Sequence, residues 1–213
     1  MRHIHARRAV LAAKLPWRQD FARWEESCVP SYCHPNLAAA YLSWARLYLA
    51  ASLAKRHARP GPVLDFGAAA GELYHLLPSW LRDYEFIEEN AAASAFLQTE
   101  IPGGRQRTLD SALDRHYAVV FALDSLEHNA DYDQLLATLA GKLADDGLLI
   151  VSGPTESRLY RLGRRIAGFD AHYHETDIYA IEAAAAGRLE RVALRRLPPL
   201  APLFRITAWQ RAA

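Results

Sequence analysis

In the stretch VLDFGAAAG, residues 63–71, an apolar run passes through Asp65 into a turn made of small residues. Gly67, Ala69 and Gly71 allow a ligand to approach the backbone closely, and a helix starting after them would offer unpaired N–H groups, so the chemistry suggested is a cofactor bed. The same small residues also serve an ordinary strand-to-helix turn, and context has to decide. Glu88 and Glu89 supply it, 17 and 18 residues beyond Gly71 at the end of the next apolar run. In a doubly wound sheet an acid there accepts both hydroxyls of a ribose, each charged hydrogen bond being worth roughly 1.5 to 3 kcal/mol. Strand alternation groups Glu88 with Tyr84 and Phe86, which makes it the first choice and Glu89 the reserve.

Groups able to move a proton occur in two further places. The run DSLEH, 124–128, ends another apolar segment, and His128 is the candidate general base because imidazole changes charge near neutral pH. Asp124, Glu127 and His128 are also ligand types for a divalent ion, but such a run often only caps and packs the next helix, and no metal site is assigned. The run HYHET, 172–176, carries His172 and His174, of which His172 is the second candidate for proton transfer. Zinc would need further ligands that are not nearby. Cys28 and the Cys33/His34 pair are spaced too irregularly for a metal site and are expected to be inert packing.

These residues need elements to hold them. From Val63 onward short apolar runs alternate with longer amphipathic ones, the rhythm of a parallel sheet covered on both faces. Strands are expected over Val63–Phe66, Tyr84–Ile87, a weak Gln106–Leu109, Ala118–Leu123 and Leu148–Ser152. Helices are expected over Glu72–Leu77, Ala91–Thr99 and Tyr132–Ala144, the last closed by Asp146/Gly147. The chain then reads as a helix Ile178–Ala186, a strand Leu189–Leu197, a Pro-rich turn and a strand Phe204–Gln210, the last two strands forming a hairpin.

Residues 1–58 hold no glycine, and Leu37, Tyr41, Trp44, Tyr48 and Ala51 recur at helical spacing, so this segment reads as a helical N-terminal cap ended by RPGP at 59–62. Tyr41, Trp44 and Tyr48, like Trp17 and Trp24, suit either core packing or an aromatic lid. In the 154–169 stretch Arg158, Arg161 and Arg165 share a helical face, which suits solvent, an acidic substrate or anionic lipid.

The order DFGAAAG, FIEEN, YAVVFALDSLEH and GLLIVSGPTE resembles the class I S-adenosylmethionine-dependent methyltransferases, in particular small-molecule enzymes of the ubiquinone-methyltransferase-like kind. The likeness covers residues 60–213. It implies a Rossmann-like, doubly wound α/β sheet of seven strands, the last one reversed and inserted beside the fifth, with residues 59–213 as the cofactor-binding domain. It assigns Asp65, Gly67, Ala69 and Gly71 to the methionine end of S-adenosylmethionine and Glu88 to the ribose. Asp110 and Ser111 match the adenine-contacting pair, and Leu123 and Asp124 match positions flanking the sulfonium. Ala69 stands where the family's middle glycine is usual. The expected activity is methyl transfer to a small-molecule acceptor, whose attack needs mainly alignment plus a base.

Composition restricts the alternatives. With 25 Lys plus Arg against 24 Asp plus Glu, the net charge of +1 gives no field for nucleic acid, which is not expected as a partner. Two cysteines exclude a disulfide scaffold and suit a reducing, cytoplasmic setting. No membrane span or signal peptide is expected, since no apolar run reaches about 20 residues. The rivals are a nicotinamide-dependent oxidoreductase, which should show GxGxxG, and a non-catalytic protein of the same fold that binds cofactor or a partner. Oligomeric state is not legible.

Overall fold

The apolar runs become the strands of one seven-stranded sheet in the order β3-β2-β1-β4-β5-β7-β6. The strands are β1 (Val63–Phe66), β2 (Tyr84–Ile87), β3 (Arg105–Gln106), β4 (Tyr117–Leu123), β5 (Leu143–Pro154), β6 (Glu190–Leu197) and β7 (Phe204–Gln210). This computed structural model describes residues 2–19, 24, 27–166 and 175–212. Strands β1 to β5 pair in parallel, whereas β7 runs antiparallel to both β5 and β6 and lies between them. The expected hairpin and reversed last strand are therefore present. β1 and β4 are neighbours although β2 and β3 intervene in sequence, so the strand order reverses between them, and ligands of open α/β sheets gather outside such a switch point.

Both faces are covered, as buried parallel strands require. On one face α1 (Arg2–Lys14), α2 (Val29–Tyr32), α3 (Leu37–His57) and α4 (Ala91–Glu100) share a core with Val63, Phe86 and Phe121. On the other, α5 (Tyr132–Lys142) and α7 (Ile178–Ala186) pack on Leu64, Val120 and Leu149. α6 (Arg158–Ile166) follows β5, and its Tyr160 ring meets that of Phe204 edge-on at 5.4 Å. The N-terminal segment is thus continuous with the core of the sheet. Trp17, Trp24 and Trp44 are core side chains, while Tyr48 remains exposed.

α3 amends one expectation. Its 21 residues are apolar enough, by length and composition, to cross a bilayer. Ala40, Trp44, Leu47, Ala51 and Ala54 recur at helical spacing and are buried on the sheet, which gives this apolar face a partner within the protein. Asn36 starts the helix by accepting hydrogen bonds from the N–H groups of Ala38 and Ala39.

Other corrections concern boundaries. No α-helix follows the small-residue turn. Residues 72–77 close as 3₁₀ turns, with Tyr74 N–H donating to Gly71 O and Leu76 N–H to Leu73 O. Pro78 leaves too little chain after Gly71 for two α turns. α5 stops at Lys142, because Leu143 already pairs with Tyr117 of β4, and the expected stop at Asp146/Gly147 is instead an irregularity in β5. A Cβ on Gly147 would stand 2.7 Å from the Tyr117 carbonyl oxygen. The third strand is short, Arg105–Gln106, and is pinned by charge. Arg105 and Arg107 donate to the buried Glu85 carboxylate at 2.8 to 2.9 Å, and Tyr117 donates to it as well. Burial opposes ionisation of Glu85, but these hydrogen bonds prevail and bring its pKa down to about 2.

α1 is fastened where it matters for the turn at 67–71. Arg7 donates through Nε and Nη2 to the buried Glu72 carboxylate, at 2.9 and 2.7 Å, immediately after Gly71. Arg7→Ala would leave Glu72 buried without a counter-charge, and a loss of about 3 kcal/mol in urea unfolding is expected. A loss below about 1 kcal/mol would show that Glu72 is neutral without Arg7 and that the pair holds little together.

Candidate functional site

The turn after β1 has its shape fixed by close neighbours. Gly67 and Gly71 lie in the left-handed region at φ +72° and +71°. A Cβ on Gly67 would come within 2.6 Å of Ser125 Cβ, and one on Gly71 would collide with Leu97 and Ile101. Only glycine fits either place without displacement. Between them Ala69 is also left-handed, at φ 49°, a conformation costly for a residue with a Cβ.

Glu88 holds that strained turn. It accepts from the Ala69 N–H at 2.7 Å through one oxygen and from the Asn90 N–H at 2.8 Å through the other. Burial raises its pKa above the ordinary carboxylate value, and the two backbone N–H groups oppose the rise. Asp65 turns inward instead of toward the loop. It accepts from the Tyr84 hydroxyl on the adjacent strand, and burial lifts its pKa to about 7, with the nearby Glu88 charge adding to the rise.

Beside the turn, at the carboxyl ends of β1 and β2 and the start of α5, lies a cleft of about 500 Å³. Phe66, Ile87, Leu109 and Leu135 give it apolar walls, while Glu88, Glu89, Arg107 and Thr108 place polar groups on it. A flat heterocycle carrying a diol is the ligand shape this combination suits. Asp110 and Ser111 lie outside its lining and are exposed, Ser111 Oγ accepting from the Thr108 N–H at 2.8 Å. The residues of this segment on the cleft are thus Thr108 and Leu109.

The chain matches the family described as "Methyltransferase domain" over residues 38–211. It belongs to that family. No curated protein sequence matches it. Similar solved structures include PH0226 protein from Pyrococcus horikoshii OT3, with a TM-score of 0.65 at 16% identity, covering 86% of this chain and 96% of that one. N-methyltransferase NodS from Bradyrhizobium japonicum WM9, in complex with S-adenosyl-L-homocysteine, gives 0.63 at 14%, covering 96% and 98%. Magnesium protoporphyrin IX methyltransferase from Synechocystis PCC 6803, with the same bound product, gives 0.62 at 16%, covering 91% and 95%. The chain is a class I S-adenosylmethionine-dependent methyltransferase by family and fold.

Seen as a methyltransferase, the chain has a second polar centre at the end of β4. Leu123 closes the strand, and Asp124 follows it at φ 52°, ion-paired with the buried Arg46 of α3. The Arg46 guanidinium lies over the Phe204 ring at 4.4 Å. Glu127, in the 3₁₀ turn Leu126–His128, is fully buried, and His128 is half-buried beside it. A cation at Asp124 would have to displace Arg46, and among the described residues no group of three His, Cys, Asp or Glu is placed to hold a metal. His172 and His174 lie outside the described residues. Cys28 and Cys33 are free thiols whose burial lifts each pKa to about 11, which suits packing.

Arg46 is the residue of this polar centre that sequence reasoning missed. The signal was present, since it is the only charged residue between Leu37 and Ala54. A lone arginine in so apolar a helix needs a buried partner, and that partner is 78 positions away in the chain.

Two outcomes test the turn. Ala69→Gly is expected to raise stability by about 1 kcal/mol in chemical unfolding, since relief of the left-handed strain exceeds the added freedom of the unfolded chain; a loss would mean the turn is unstrained. Asp65 ionises at 3.8 when unfolded and near 7 when folded, so its stabilising effect is complete below 3.8 and disappears as pH rises through 7. Asp65→Asn should therefore gain on the wild type between pH 4 and pH 8, whereas a constant difference would remove the assigned shift.

Proposed function

We propose that this methyltransferase transfers a methyl group from S-adenosylmethionine to a small-molecule acceptor. The observation that carries the cofactor side is the cradle of Gly67, Ala69 and Gly71 clasped by Glu88, beside a cleft of nucleoside size. In it Gly67, Ala69 and Gly71 hold the methionine end, and Glu88 receives the ribose hydroxyls on lone pairs its two backbone bonds leave over. Ile87, Leu109 and Leu135 sandwich the adenine, and Thr108 lies where the expected Asp110/Ser111 contact would act. Leu123 and Asp124 flank the methyl-bearing end. Asp65 acts from beneath by fixing β1 to β2 through Tyr84.

When bound, S-adenosylmethionine supplies an already activated methyl on a sulfonium, so the protein has chiefly to align, desolvate and deprotonate the acceptor. The end of β4 suits this task. Arg46, Glu127 and Ser152 are all buried there, and an enclosed position favours a small molecule over a polymer. The neighbouring magnesium protoporphyrin IX methyltransferase carries a name that implies a small acceptor. His128 stays a proton-transfer residue in this reading, at the rim of the same turn.

Glu88→Ala should weaken S-adenosylhomocysteine binding by about 2 kcal/mol, roughly thirtyfold, in calorimetric titration. Unchanged affinity would remove Glu88 from the site. For the acceptor, labelled S-adenosylmethionine incubated with a cell extract should label the low-mass fraction in the presence of the protein. Label confined to protein or nucleic acid would overturn the small-molecule reading.

A further inference from the structure

Around the end of β4, six buried side-chain atoms have no hydrogen-bond partner among the described residues: Arg46 Nε, Asp124 Oδ1, Ser125 Oγ, both oxygens of Glu127 and Ser152 Oγ. Folded proteins leave few such atoms, and each needs an explanation. Here they belong to one place. Arg46 pairs with Asp124, the Asp124 N–H donates to the Ser152 carbonyl at 3.0 Å, and Leu123 lies in register with Ser152. Ser125 is also the wall against which Gly67 packs, so this centre adjoins the methionine side of the cofactor turn.

The charges balance only while Glu127 is neutral. One guanidinium faces two carboxyl groups: Arg46 is ion-paired with Asp124, and among the described residues Glu127 has no cation of its own. Among the described residues the charged and titratable groups that act on Glu127 are Asp124 and Glu156, which repel its charge, Arg46, which attracts it, and the Cys28 thiol. Burial first, and Asp124 second, hold its carboxyl well above the usual range, which favours the protonated acid. A water molecule would satisfy hydrogen bonds here but would not supply the second positive charge that lets Glu127 ionise beside Asp124. Rings of Phe204 and Tyr160 stand beside the Arg46 end.

We propose that this centre is the acceptor subsite and takes an organic ammonium, with Glu127 as the carboxylate that pairs with it and then accepts its proton. The proposal rests on the methyltransferase reading above and deepens it by naming an amine as the acceptor class. Binding proceeds with release of the Glu127 proton to solvent, leaving a carboxylate opposite the cation. In the second step one N–H bond of the ammonium breaks, its electron pair stays on nitrogen as the nucleophilic lone pair, and the proton forms an O–H bond on Glu127. Arg46 and Asp124 are positioning residues.

The test uses the full chain saturated with S-adenosylhomocysteine and three probes of one size, benzylamine, benzyl alcohol and benzoate. Calorimetry at pH 7.5 in phosphate and in Tris reports both affinity and protons exchanged, because the buffers differ in ionisation heat. Benzylamine should bind best and release about one proton per site. In Glu127→Gln its affinity should fall by about tenfold or more, and the difference between buffers should vanish. Tighter binding of benzyl alcohol or benzoate, binding of benzylamine without proton release, or no binding of any probe would overturn the proposal. If S-adenosylhomocysteine itself fails to bind, the cofactor reading falls instead. Stability against pH keeps the variant interpretable. Wild type should lose stability as pH rises above about 4.5, where Glu127 ionises only in the unfolded chain, and a folded Glu127→Gln should show a shallower slope, keeping the share that Asp65 contributes. An identical slope in both would also overturn the assignment.

Discussion

The ion pair between Arg46 and Asp124 is the contact on which the site's arrangement depends. It joins the middle of α3 to the residue that follows the end of β4, two elements that the sheet alone would leave unconnected. Because both partners are buried, the pair adds little net stability over apolar packing, and its effect is on geometry. Asp124 is fixed in a left-handed conformation, and the chain after it is aimed so that Glu127 enters the interior. Through Phe204 the same guanidinium reaches β7, so the reversed strand is tied to the site as well.

A similar logic governs the cofactor turn. Two glycines remove side chains where Ser125, Leu97 and Ile101 approach, and an alanine between them bears conformational strain. The strain is retained because the Ala69 N–H is held by Glu88, a group that also faces the cleft. A ligand diol meeting that carboxylate would therefore act on the turn and on the second strand together. From the other side Arg7 and Glu72 clamp the chain directly after Gly71, which makes α1 part of the turn's support.

The two polar centres divide the chemistry. The cleft has apolar walls and a few peripheral polar groups, suited to orient a heterocycle. The centre at β4 is closed and rich in unsatisfied donors and acceptors, and Gly67 packed on Ser125 is the boundary between them. In a water-poor interior each charge there acts more strongly than it would in solvent. That setting is what the proposed proton transfer at this centre draws on.

Much of this was legible in the residues. The strand Val63–Phe66, the small-residue turn and the hairpin ending at Gln210 follow from local periodicity and turn chemistry, and they stand where the sequence puts them. The place of Glu88 at the end of β2 and on the cleft was legible too, because strand alternation and distance from Gly71 are both short-range quantities. What failed was decided by contacts between distant segments. The helix expected at 72–77 gave way to 3₁₀ turns between Gly71 and Pro78, and α5 ended early because Leu143 found Tyr117. Arg46 and Glu127 illustrate the limit best. Local pattern treats one as an interruption in an apolar helix and the other as part of a cap, and only folding brings them to the same carboxylate at Asp124, where burial turns ordinary charges into a site.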